Sequence, residues 1–168
     1  ALIDRLPELA ARFDPNAVTG AAPGSPGVFA LAATPARWAL ERDAWREAVA
    51  LRPSPSAFPY TEAMTYLARA IGAGHVGDSG RARESVDSLS AIYGRLVAAR
   101  EAYWAEQVAI QHLSASAWLA STRGRGDSAL VLMRLAAARE DATEKAAVTP
   151  GPLAPAREQL ADMLYDQR

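Results

Sequence analysis

Cysteine is absent from the chain of 168 residues, which excludes disulfides and thiolate metal ligation. That absence suits cytoplasm and periplasm alike and leaves the compartment open. Lysine is nearly missing too: Lys145 is the only one, and arginine carries the remaining positive charge. The bias resembles high-GC bacterial coding more than a binding signature. A formal net charge of −1 argues against a general electrostatic grip on nucleic acid or anionic lipid. No apolar run approaches the roughly 18–20 residues that a membrane helix needs, so no membrane insertion is expected. No charged-then-apolar signal segment follows Ala1, and the expectation is a chain either processed or cut from a longer one. No stretch alternates with period two and β-branched enrichment, which speaks against strands.

Alanine, in contrast, makes up more than a fifth of the chain. It is the best helix former, and its small side chain lets neighbouring helices approach closely. The chain divides at about residue 27. Residues 1–27 hold a short amphipathic segment, Leu2 to Phe13, and a loop rich in Pro and Gly. Residues 28–168 read as helices: Val28–Arg42, Ala44–Leu51, Tyr60–Val76, Ser79–Ala99, Glu101–Arg123, Ser128–Asp141 and Ala154–Gln167. Tyr60, Met64, Leu67 and Ile71 recur at helical spacing on one face. Ala82, Val86, Leu89, Tyr93 and Leu96 form the next stripe. Trp104, Val108, Ala115, Trp118 and Leu119, then Leu130, Met133 and Ala137, form those that follow. Gly77-Asp78 and Gly126-Asp127 each supply a helix break followed by an N-capping carboxylate. The Thr149-Pro150-Gly151-Pro152 turn separates the last helix.

The turns recur at related positions. Asp43, Gly77 and Gly124 are each followed five residues later by a small residue, Ala48, Ala82 and Ala129. The first interval is 34 residues and the second 47. A small residue is needed where the second helix of a hairpin crosses the first. With Trp45 in the first turn, Val86 and Met133 at the large apolar position, Tyr66 and Leu113 on the first helices, and Ala36, Ala70 and Ala117 at the small position, the pattern resembles the tetratricopeptide repeat family. The match runs from about Val28 to Asp141, with a partial fourth unit from Leu153 to Arg168. The stretch from Thr149 to Gln167 also looks like bacterial multi-repeat proteins of unassigned function. Few repeats carry the family's aromatic pattern, none ends in the expected proline, and the 47-residue interval requires longer helices.

The resemblance implies an all-α, right-handed α-solenoid of antiparallel helix hairpins, about three units plus the partial fourth. It implies a non-enzymatic scaffold that binds a protein or peptide in a concave groove lined by the first helix of each hairpin. Carried onto this chain, the groove takes Met64, Leu67, Ile71 and His75 from one unit. It takes Trp104, Gln107, Gln111, Ser114, Trp118, Ser121 and Thr122 from the next, with Arg37 and Glu41 from the first. Trp104 and Trp118 also read as packing residues, and Trp38 and Trp45 more so. In related arrays a further helix follows, so Leu160, Met163 and Leu164 are expected to lack cover. The expectation is truncation or a homodimer through that end, which makes structural self-assembly the alternative reading.

Enzyme signatures are few. His75 and His112 lie 37 residues apart without an HExxH or Glu-x-x-His pair. They read as polar or packing positions, with an enzymatic or metal site in a larger protein as the second alternative. Ser114, Ser116, Ser121 and Ser128 lack a nucleophile elbow and a base partner. No catalytic residue, cofactor or metal is assigned. Arg125-Gly126-Asp127 spells an adhesion tripeptide that a helix break and cap account for fully.

Overall fold

The computed structural model describes residues 2–14, 25–143 and 151–166, all helix or connecting turn with no strand among them. After a 3-10 turn at Leu2–Arg5 come α1 (Leu6–Arg12), α2 (Ser25–Leu40), α3 (Trp45–Ala50), α4 (Pro59–Val76), α5 (Ser79–Ala98), α6 (Ala102–Thr122), α7 (Gly126–Ala142) and α8 (Ala156–Asp166). The turn residues Asp43, Gly77 and Gly124 all have positive φ, between 52° and 75°, as does Arg100 at the α5–α6 turn. Gly77 reverses the chain in the left-handed conformation, where a Cβ is unfavourable. Asp78 then caps α5, its carboxylate accepting from the Arg81 N–H at 2.9 Å. The next turn differs from expectation. Its break lies at Gly124, Gly126 already belongs to α7, and the N-cap residue is Arg125, whose side chain makes no cap bond.

Consecutive helices pack on one another from α2 to α8, and α2 also touches α4, α4 touches α6, and α6 touches α8. Among the described residues, no comparably extensive contact joins α3, α5 and α7 to each other. One face is therefore built from α2, α4, α6 and α8. Alanines set the approach of the layers: Ala48, Ala82 and Ala129 have no exposed surface, and Ala36, Ala70 and Ala117 almost none. The same close approach occurs at Gly72, where a Cβ would stand 2.6 Å from the Trp45 carbonyl oxygen. On α4, buried Arg69 lies beside the Tyr66 ring and donates to Glu84 of α5 at 2.9 Å.

The stripe on α4 is buried throughout, at Tyr60, Met64, Leu67 and Ile71. On α5, Ala82, Leu89 and Leu96 are buried as expected, but Ser85 and Ile92 take the inward places of Val86, which is half-buried, and Tyr93, which is exposed. Ser85 tolerates burial because its hydroxyl donates to the Arg81 carbonyl of its own helix. Trp38 is a second correction. It is 42% exposed, since α2 presents Ala33, Ala36 and Ala39 inward; the Arg42 guanidinium lies 4.8 Å from its ring centre. At the other end, α7 and the core cover Met163 and partly cover Leu160, whereas Leu164 and Tyr165 are exposed. The positions Gln167 and Arg168, and the Pro/Gly stretch 15–24, lie outside the described residues.

Candidate functional site

The face made by α2, α4, α6 and α8 carries two groups of aromatic rings. In the first, Trp104 of α6 stacks on Tyr60 of α4 with ring centres 3.7 Å apart and planes 7° from parallel. Phe29 of α2 lies 6.1 Å beyond Trp104, and Tyr103 meets Trp104 edge-on. The segment from Gly151 to Ala154 closes over this group. Leu153 is buried in the core, and Arg37 Nη2 donates to the carbonyl oxygens of Gly151 at 3.3 Å and Pro152 at 3.1 Å. Beneath the segment a cavity of about 30 Å³ remains, room for a water molecule. Gln111 lines it and has a buried Oε1 that no described side chain or backbone group satisfies.

The second group opens to solvent. His75 of α4 stacks on Trp45 of α3 at 3.8 Å and 9°, and lies 4.5 Å from Trp118 of α6 at a 40° tilt. Trp118 is 3% exposed and fits because position 74 is glycine; a Cβ there would collide with the indole. Its Nε1–H donates to Gln159 Oε1 of α8 at 3.0 Å, while Gln159 Nε2 donates to the Ala154 carbonyl at 2.8 Å. These rings wall a cleft of about 350 Å³, whose rim carries Arg37, Glu41, Asp43, Glu158 and Asp162. Burial pulls the His75 pKa below 6.5, against Asp166, Asp162 and Asp43, which raise it. Burial lowers His112 as well, against Asp87 of α5. The two histidines thus answer to different carboxylates, and no cluster of three or more potential metal-ligating side chains occurs among the described residues. A wider recess of about 810 Å³ lies between α1 and the residues from Leu51 to Phe58. Its wall is apolar except for Arg52 and a few hydroxyls, so it lacks the converging polar groups of the smaller cleft.

Of the groove residues expected from sequence, Leu67, Trp104, Gln107, Gln111 and Ser114 gather around the closed cavity. Ile71, His75 and Trp118 line the open cleft. Met64 faces the interior, Ser121 is exposed outside both, and Thr122 donates its hydroxyl to the Leu119 carbonyl. Met64, Leu67, Ile71, Ser114 and Trp118 are all buried; of these, Ile71 and Trp118 reach the open cleft as part of its wall. The cleft residues missed from sequence include Asp43, Trp45, Leu40, the segment from Pro152 to Pro155, and Glu158, Gln159 and Asp162 on α8. The turn spacing brought Asp43 and Trp45 to attention, but only as a hairpin turn. No helix among the described residues is long and apolar enough to cross a membrane. No protein family, curated protein or solved structure matches the chain.

Proposed function

We propose that this chain is a non-enzymatic binding module: a right-handed array of tetratricopeptide-like helix hairpins that holds a segment of a protein partner against its inner face. The cleft walled by Trp45, His75 and Trp118 carries the reading. It combines rigid aromatic surface with polar groups on several elements, the composition of peptide-binding hot spots. The positive-φ turns at Asp43, Gly77 and Gly124, each with a buried alanine five residues on, support the repeat arrangement. Selection of displayed peptides against the full chain, followed by titration of the winners against the Trp45→Ala variant, tests the function. Loss of at least tenfold in affinity is expected; peptides that bind the folded variant unchanged would remove the cleft from the account.

A second reading is self-assembly through the end of α8. Leu164 is 40% and Tyr165 75% exposed there, side by side in sequence. Light scattering over a concentration series would reveal a dimer, and Leu164→Ser with Tyr165→Ser would dissolve it. A concentration-independent monomer would end this reading.

A further inference from the structure

We infer that the Trp45–His75–Trp118 cleft takes the side chain of an arginine from an extended partner segment, a claim that rests on the peptide-binding reading above. The carboxylates of Glu8, Glu47, Glu62, Glu84, Asp87, Glu106 and Asp141 are each paired with an arginine of the chain. Glu101, Asp127 and Asp166 have no such partner among the described residues, and neither do the four that gather at the cleft, Glu41, Asp43, Glu158 and Asp162. Among the described residues lining the cleft the one cation is Arg37, which donates to the backbone carbonyls of Gly151 and Pro152 and keeps its charge. Four carboxylates against one guanidinium thus leave an excess of negative charge around a recess walled by rings, in a chain whose formal net charge is only −1.

Such a recess selects its occupant by chemistry. A carboxylate or phosphate ligand would meet like charge on α2, α8 and the α2–α3 turn. An uncharged apolar side chain would fit the ring wall but would bury the carboxylate rim without compensation. A guanidinium satisfies both: its flat, weakly hydrated face lies on aromatic rings and its edge donates to carboxylates. Lysine offers the charge without the planar face and is expected to bind more weakly. A volume of about 350 Å³ is at the lower end of ligand-sized clefts, suited to one long side chain and the backbone beside it.

The test uses the full chain, labelled for NMR, with capped pentapeptides Ala-Ala-Xaa-Ala-Ala in which Xaa is arginine, lysine, citrulline or glutamate. Citrulline keeps the shape of arginine and removes its charge. The arginine peptide should shift the indole N–H signals of Trp45 and Trp118 and leave that of Trp38 in place. It should bind at least tenfold more tightly than the citrulline peptide, and more weakly as salt rises. Asp43→Asn with Asp162→Asn should lower the arginine affinity severalfold while the remaining spectrum stays folded; Asn tolerates the positive φ at position 43. Equal binding of arginine and citrulline peptides would overturn the cation inference and leave peptide binding intact. No shift from any of the four peptides at millimolar concentration would overturn the arginine inference, and the displayed-peptide selection would then decide the peptide-binding reading separately.

Discussion

Trp118 on α6 donates its indole N–H to the side-chain oxygen of Gln159 on α8 at 3.0 Å, and both residues are buried. The same amide donates to the Ala154 carbonyl, so one side chain ties the last helix, the segment before it and the aromatic wall together. Gln159→Leu keeps the volume but strands a buried donor and a carbonyl. A loss of about 1–3 kcal/mol in unfolding free energy is expected from urea titration. A cycle with Trp118→Phe should give a coupling of about 0.5 kcal/mol or more, and strict additivity would contradict the bond.

Ala82 sits fully buried where α5 crosses α4. Enlarging it to leucine should force the helices apart and destabilise the fold by about 1–3 kcal/mol. Ala91→Leu, at an exposed position of the same helix, should stay within about 0.5 kcal/mol of the parent. Indistinguishable melting curves for the two variants would refute the close-packing role.

Two glycines should respond to alanine with opposite signs. Gly77 has φ of 75°, so Gly77→Ala should cost about 1–2 kcal/mol. Gly94 lies inside α5 with open space where an alanine methyl would stand, so Gly94→Ala should stabilise by about 0.5–1 kcal/mol. Paired thermal melts give both signs in one experiment.

Acid should weaken the fold through His75 and His112. Burial holds both pKa values below 6.5 in the native state, so the unfolded chain takes up these protons first. The two groups leave stability independent of pH above about 6.5, and stability falls as pH drops below that value. Denaturant midpoints between about pH 7.5 and about pH 5.5 report the slope. His75→Gln with His112→Gln should flatten it, and a midpoint that rises on acidification would contradict the assignment.

The helices were legible in the sequence because alanine-rich segments with apolar spacing sit between strong punctuation. Asp43, Gly77 and Gly124 fall where the chain reverses, and the alanines that follow are buried. Stripe membership was less legible on α5, where Ser85 is buried by bonding its own helix and Tyr93 is exposed. The candidate groove was read from α4 and α6, with Arg37 and Glu41 of α2, since helical register places residues only within one element. Register says nothing of a distant segment, and the Gly151–Ala154 stretch that closes over Trp104 comes from far along the chain. For the same reason Glu158, Gln159 and Asp162 went unread as cleft residues: their role depends on where α8 lies.

Arg37 reaches carbonyls of residues 114 and 115 positions away. A row of helices that touched only near neighbours could lose its ends one at a time, each loss independent of the rest. The Arg37 clasp, with Leu153 beneath it, ties α2 to the segment that leads into α8. Loosening α2 or α8 therefore removes a contact that holds the other, which favours a more concerted melting over a graded one. It also gives α8 a bearing on the shape of the cleft that its own few contacts with α6 would not.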